Sequence, residues 1–175
     1  MQYSIKIIGA ICIIAASILL GMQMDRGMKK KCTFLNEVYE LFIFLEKEMT
    51  YHRAPIQEAF RCAAEKCTTE LGAVLREAAL QIDKREGKAF QKIWNEAVNT
   101  CIPPALLDDE GRRMLLDAAD ALCNADTVTQ QTLLRKHSDR FAGMSKRELE
   151  IYREKSLLYR RLSAAAGAFL VILLI

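Results

Sequence analysis

Proline and glycine are scarce in this sequence, and their scarcity limits what kind of chain it can be. The 175 residues include three prolines and eight glycines, too few for a long low-complexity linker. Runs in which valine, threonine or aromatic residues alternate with polar ones, as in strands, are also missing. Residues that favour helices dominate instead. These observations predict an all-α protein.

A marked excess of one charge sign is also missing. Lys and Arg number 25, Asp and Glu number 22, and the formal net charge is +3. A nucleic-acid-binding domain usually concentrates positive charge on one face or stripe, and this near balance lacks that footprint. We therefore expect no nucleic-acid partner.

The motifs of common catalytic and metal sites are absent. The Gly87-Lys88 pair lacks the upstream glycine and the following Ser or Thr of a phosphate-binding loop. The sequence contains no Gly-x-Ser-x-Gly and no His-Glu-x-x-His pattern. His52 and His137 do not have the spacing of metal ligands. We predict no catalytic residue, metal, cofactor or small-molecule substrate, so the expected function is binding or scaffolding and not catalysis.

Six cysteines form no Cys-x-x-Cys pair, and two of them, Cys62 and Cys67, lie five positions apart on diverging faces of a predicted helix. We expect reduced thiols that pack as small buried apolar residues. The alternative is a membrane-tethered thiol redox or metal-binding protein that uses one or more of four of these cysteines. The six are Cys12, Cys32, Cys62, Cys67, Cys101 and Cys123, and the alternative involves the last four.

Charge is nearly absent from both ends of the chain. Residues 1–24 carry one charge, Lys6, and residues 162–175 carry none. The uncharged residues 7–24 span about 27 Å as a helix, close to the thickness of a bilayer's hydrocarbon core. We predict an uncleaved membrane helix, with a cleaved signal peptide as the alternative. Residues 162–175 reach only about 21 Å as a helix, so full crossing and half-insertion both stay open.

Basic residues flank both apolar segments on the side of the central domain. Such clusters resist translocation and stay on the cytoplasmic side of a membrane. The sequence therefore predicts an N-terminal transmembrane helix at 1–24, a cytoplasmic helical domain at 25–161 and a C-terminal membrane helix at 162–175. The flanking residues are Arg26, Lys29, Lys30, Lys31, Arg160 and Arg161.

Apolar residues recur with helical period through the central domain and predict a bundle of about six helices. Pro55 suits the first turn of the second helix, and Asp126 suits the N-cap of the sixth. Ser145 and Glu148 have the spacing of a capping box, which predicts that a last helix begins there. The acidic run 108–110 fits a loop and the first turn of a helix better than a metal site. Trp94 is expected to anchor the core.

Three sequence blocks carry a resemblance to a known family. The first block is Leu45-Glu46-Lys47-Glu48-Met49-Thr50-Tyr51 followed by Pro55-Ile56-Gln57-Glu58-Ala59-Phe60; the second is Leu122, Asn124, Asp126 and Gln130; the third runs from Leu158-Tyr159-Arg160-Arg161-Leu162 to Ile172-Leu173-Leu174-Ile175. In order and spacing these blocks resemble the stage III sporulation protein AB family. Ala54, Cys123 and Ala125 depart from it, because that family usually has Thr, Gly and Ser at these places.

The resemblance implies a helical domain similar to the platform proteins of type II secretion and type IV pilus machines, and a role in endospore formation. It implies a non-enzymatic scaffold in the mother-cell membrane around the engulfed forespore, within a secretion-like channel complex. The implied partners are the lipid bilayer, a secretion-type ATPase of the same operon and the other membrane proteins of the complex.

Our candidate contact surface for the ATPase is the segment that holds Glu46, Glu48, Tyr51, Pro55 and Glu58. The alternative is that Tyr51 and Pro55 only fix a corner between two helices, and that the acidic residues form a solvated face. Charge reversal at the acidic positions separates the two interpretations.

Overall fold

The structure is a computed structural model that describes residues 2–49, 55–84, 87–123 and 126–174. Side chains are described at these positions except 2–14, 17, 18, 20, 127, 157, 159, 160, 163, 164 and 166–174. The described residues form six helices and no strand, which confirms the all-α prediction. The helices are α1 Gln2–Lys47, α2 Ile56–Lys66, α3 Leu71–Asp83, α4 Phe90–Cys101, α5 Asp109–Cys123 and α6 Thr127–Leu174.

The chain divides into two compact units. The first unit joins Met1–Lys30 with Arg147–Ile175, and the second unit is Lys31–Lys146. Within the part of the chain that the structure describes, no helix combines the length and the apolar character needed to cross a membrane. The predicted membrane segments, with boundaries at residues 24 and 162, stay predictions.

The second unit is built around one apolar core to which α1 contributes a regular stripe. Phe34, Leu35, Val38, Phe42 and Leu45 are all fully buried, as their helical spacing predicts. The ring of Phe42 stacks on two rings of α6, those of His137 and Phe141, with 5.6 Å between centroids in each pair. These stacked rings attach α6 to α1 inside the second unit.

Trp94 anchors the other side of this core, as predicted. It is fully buried and packs against Phe60 and Phe90, with ring centroids 5.6 and 6.3 Å away. Its indole N–H donates a hydrogen bond of 2.7 Å to the backbone carbonyl of Leu115 on α5. A buried indole needs such an acceptor, because an unpaired buried N–H costs free energy.

The prediction that a last helix begins at Ser145 is wrong. Residues 127–174 form one helix, and its N-terminus is capped by Asp126, whose Oδ2 accepts a 2.9 Å hydrogen bond from the backbone N–H of Thr129. Helical geometry persists through residue 145 because Phe141 and Met144 pack against the core just before it. Val128 is 70% exposed in the first turn of α6.

Two breaks between helices lie near residues that disfavour or redirect a helix: α4 ends close to a proline, and the connection before it contains a glycine with positive φ. Helix α1 ends at Lys47, and residues 48–49, the last described before the α1–α2 connection, are π-helical. Helix α4 ends two residues before Pro103. Gly87, in the α3–α4 connection, has φ +70°, a conformation that glycine adopts without strain.

Candidate functional site

The predicted partner-contact residues lie on both sides of the connection between α1 and α2. Glu46 is in the last turn of α1 and Glu48 in the π-helical turn after it, and both are half-buried. Pro55 and Glu58 are exposed at the start of α2. Tyr51 lies outside the described residues. The structure therefore locates four of the five residues at this connection, and a joint contact surface stays a prediction.

Local geometry explains why α2 begins where it does. Pro55 has an extended backbone, and its carbonyl accepts hydrogen bonds from the N–H groups of Glu58 (3.0 Å) and Ala59 (3.1 Å). Proline suits this position, because the N–H that it lacks would have no partner at a helix N-terminus. The carboxylate of Glu58 also lies in the first turn, where the helix dipole favours negative charge. This part of the corner is explained by helix initiation alone.

An apolar cleft opens beside this corner. It has a volume of about 500 Å³, and Ile56, between Pro55 and Glu58, forms part of its wall. The remaining lining residues come from α3, α4, α5 and the α3–α4 connection. They are Gln81, Ile82, Gly87, Lys88, Phe90, Ile93, Leu122 and Cys123. Sequence patterns did not identify this cleft, since its walls come from segments up to 67 residues apart.

A second feature that sequence patterns missed joins α1 to the connection before α3. The carboxylate of Glu37 accepts hydrogen bonds from the backbone N–H groups of Thr68 (2.8 Å) and Thr69 (3.1 Å) and from both hydroxyls (2.5 Å each). Burial alone would raise the pKa of Glu37, but these hydrogen bonds outweigh burial and hold the pKa below its usual value. The ionised carboxylate thus fixes the start of α3 on α1.

The cysteines are only partly as predicted. All five whose side chains are described are free thiols. Cys62 and Cys123 are exposed, which corrects the expectation that they are buried; their positions on the outer faces of α2 and α5 explain the difference. Burial, followed by the negative charge of Glu37, raises the pKa of Cys67 to about 11. Because the thiolate is the nucleophile, this thiol is poorly suited to redox chemistry at neutral pH.

The acidic run 108–110 starts α5, as predicted. Asp108 Oδ1 accepts a 2.8 Å hydrogen bond from the backbone N–H of Gly111, and Asp109 and Glu110 occupy the first turn. Where the structure describes the chain, no group of three His, Cys, Asp or Glu residues is arranged to hold a metal ion.

The predicted membrane-flanking basic residues lie on α1 and α6. Arg26, Lys29 and Lys30 are exposed and Lys31 is half-buried on α1, all within two turns after residue 24. Arg161 is exposed on α6. The side chain of Arg160 lies outside the described part.

In the first unit, the hydroxyl of Ser156 on α6 donates a 2.5 Å hydrogen bond to Asp25 Oδ1 on α1. The partners are 131 residues apart in sequence, so no local sequence pattern indicates this contact.

Comparisons with known proteins agree with the resemblance of the sequence blocks. A family model described as stage III sporulation protein AB matches residues 6–175. A solved structure of a stage III sporulation protein AB has a similar fold, with a TM-score of 0.63 and 13% sequence identity; the match covers 71% of this chain and 97% of the other. At this identity the likeness concerns the fold alone. No curated protein sequence matches the chain significantly.

Proposed function

This chain belongs to the stage III sporulation protein AB family, and on that basis we propose that it is a non-enzymatic membrane scaffold in sporulation. It stands in the mother-cell membrane around the engulfed forespore, with its central domain in the cytoplasm, as part of a secretion-like channel complex. There it docks a secretion-type ATPase. The observation that carries the proposal is the extent of the family match, which includes both apolar ends and the whole helical domain.

Exposed apolar side chains of the first unit support membrane anchoring. Leu19, Met22 and Met24 on α1 are 65%, 46% and 51% exposed, and Leu158 and Leu162 on α6 are 58% and 61% exposed. Exposed apolar side chains grouped in this way mark a surface that contacts lipid or another protein. Basic side chains follow directly on the side of residue 25, where a cytoplasmic flank is expected.

The packing of the second unit supports a scaffold role. Its helices share one core in which Trp94, Phe42, Phe60 and Phe141 are fully buried. Interiors packed in this way resist deformation and transmit displacement, because their side chains interlock. A platform that passes motion from an ATPase to a membrane needs this stiffness and needs no catalytic residue of its own.

The corner between α1 and α2 is the proposed docking surface for the ATPase. Glu46 and Glu48 lie at the end of α1, Glu58 lies in the first turn of α2, and Ile56 forms part of the wall of the apolar cleft. A polar rim next to an apolar recess is the usual composition of a protein interface. The partner surface is expected to present Lys or Arg residues around an apolar side chain.

Co-purification of the full chain with the ATPase in detergent tests this function. The variant Glu46→Lys/Glu58→Lys is expected to retain at least tenfold less ATPase, because the charges at the rim reverse. The matched control Glu40→Lys/Glu65→Lys reverses two exposed acidic residues away from the corner and is expected to retain the ATPase fully. If both variants retain the ATPase equally, the corner is not the docking surface. If the wild type retains no ATPase, the chain does not dock the ATPase at all.

A further inference from the structure

The hydrogen bond between Ser156 and Asp25 fixes a register between the two helices of the first unit. Both residues are half-buried, and the bond length is 2.5 Å. A carboxylate acceptor makes this a charge-assisted hydrogen bond, stronger than one between two neutral groups. Sliding either helix by one residue would move a partner by about 1.5 Å and rotate it by about 100°, which breaks the bond.

This register aligns the two apolar segments. Residues 7–24 precede Asp25 on α1, and residues 157–174 follow Ser156 on α6. Both segments belong to one compact unit. Starting from the bond, one segment runs toward the N-terminus of α1 and the other toward the C-terminus of α6. Each segment contains 18 residues, so each extends about 27 Å from the bond as a helix. Leu174 thus comes level with Ile7.

We propose that the Asp25–Ser156 hydrogen bond sets the register of a helical hairpin that crosses the membrane as one element, with residues 157–174 crossing to the same depth as residues 7–24. This inference rests on the membrane anchoring proposed above. It decides between the two interpretations of the C-terminal segment, because the crossing helix gains the five residues that precede Leu162.

The charges near the bond are compatible with this depth. Arg160 and Arg161 lie four and five residues beyond Ser156, about 6 to 8 Å along the helix. Long arginine side chains near the end of a membrane helix extend back to the headgroups, so their guanidinium groups stay solvated. The backbone of both helices satisfies its own hydrogen bonds, as hydrocarbon requires.

Disulfide formation tests the register. The full chain carries Asp25→Cys and Ser156→Cys in a background where the native cysteines are replaced by alanine, and it is oxidised in bacterial membranes. Directly contacting side chains meet the distance that a disulfide needs. We expect at least tenfold more intramolecular cross-link than in the matched control Asp25→Cys/Lys155→Cys, since Lys155 is an exposed neighbour on another face of α6. Equal cross-linking in the two variants overturns the register.

Labelling with a membrane-impermeant maleimide tests the depth. Single cysteines at Ser4 and Ile175 are compared with Cys62, which is exposed in the second unit and marks its side of the membrane. In intact spheroplasts we expect both introduced cysteines to react and Cys62 to be protected, and the reverse in inverted vesicles. If position 175 labels together with Cys62, the C-terminal segment does not cross and the proposal falls. If the wild type is released from membranes by alkaline carbonate, anchoring itself fails.

Discussion

Glu37 on α1 holds Thr68, 31 residues further along the chain, through two hydrogen bonds to one carboxylate oxygen. The backbone N–H of Thr68 lies 2.8 Å from Oε1 and its hydroxyl 2.5 Å. Thr69 repeats the pattern on Oε2. Since the threonines lie three and two residues before Leu71, where α3 begins, a side chain of α1 satisfies backbone donors just before another helix starts. The link between α2 and α3 is thereby fixed to α1.

Replacing Glu37 by Gln should destabilise the second unit. The amide keeps the shape but loses the charge and one of two acceptors, and hydrogen bonds to charged groups contribute about 1.5–3 kcal/mol each. We expect the free energy of unfolding to fall by about 1–3 kcal/mol in urea titrations of the full chain followed by circular dichroism. The control Glu40→Gln, which alters an exposed bond to Asn36 within α1, should change it by less than about 0.5 kcal/mol.

The same carboxylate should make stability depend on pH. The pKa of Glu37 in the folded chain lies below its ordinary value of 4.5, so the unfolded chain binds its proton more readily. The stabilisation is therefore complete above pH 4.5 and is lost as the pH falls through the lowered pKa. The difference in unfolding free energy between wild type and Glu37→Gln should shrink between pH 6 and pH 3. A constant difference would mean that the charge of Glu37 does not contribute.

His137 should make stability depend on pH in a higher range. Burial and then Arg140 lower its pKa, Asp117 on α5 opposes them, and Lys136 lowers it further. Nδ1 is buried without a hydrogen-bond partner. The unfolded chain therefore gains a proton near pH 6.5 before the folded chain does, and stability falls as the pH drops through that range. His137→Phe, which preserves stacking on Phe42, should show a smaller shift in melting temperature between pH 7.5 and 5.5.

Alkylation should be slower at Cys67 than at Cys62. The pKa of Cys67 is raised to about 11, and its side chain is half-buried, whereas Cys62, five residues earlier on α2, is exposed. Only the thiolate reacts, so at pH 8 a single-cysteine variant that keeps Cys67 should react at least tenfold more slowly with iodoacetamide than one that keeps Cys62. Equal rates in the native state, together with a normal rate ratio in urea, would contradict the burial of Cys67.

Two helical glycines should respond in opposite ways to alanine. At Gly143, an added Cβ meets nothing within 4 Å, so Gly143→Ala should stabilise α6 by about 0.5–1 kcal/mol through helix propensity. At Gly111, an added Cβ would lie 2.6 Å from Leu107 Cδ1 and 2.9 Å from Met144 Cε. These side chains must shift, so Gly111→Ala should cost about 1 kcal/mol or more. Urea unfolding of both variants measures the contrast.

Local patterns in the sequence were sufficient for most of the fold. The apolar stripes of α3, α4 and α5 face the core as their period indicates, and Asp126 caps α6 through Thr129. The predicted helix start at Ser145 was wrong because a capping-box spacing indicates a helix start only where the preceding residues are not already helical. Gly143 weakens the helix there by about 1 kcal/mol, and the packing of Phe141 and Met144 outweighs that loss.

Contacts between distant segments could not be predicted. Neither Glu37 nor Thr68 belongs to a motif, and the cleft beside Ile56 exists only once four helices have packed. The exposure of Cys62 and Cys123 likewise depends on which face of α2 and α5 turns outward. Candidate site residues were identified through resemblance at the α1–α2 corner, whereas the structure adds the cleft and the carboxylate that holds α3.

The pairing of Asp25 with Ser156 also sets an order of events during synthesis. The two residues are separated by 131 positions, so the ribosome makes the partner of Asp25 roughly 7 to 26 seconds after Asp25 itself, at about 5 to 20 residues per second. During that interval the first apolar segment has no helix to pair with, while the whole second unit emerges. The contact between Asp25 and Ser156 therefore forms last, and a chain interrupted before residue 156 would keep its first apolar segment unpaired.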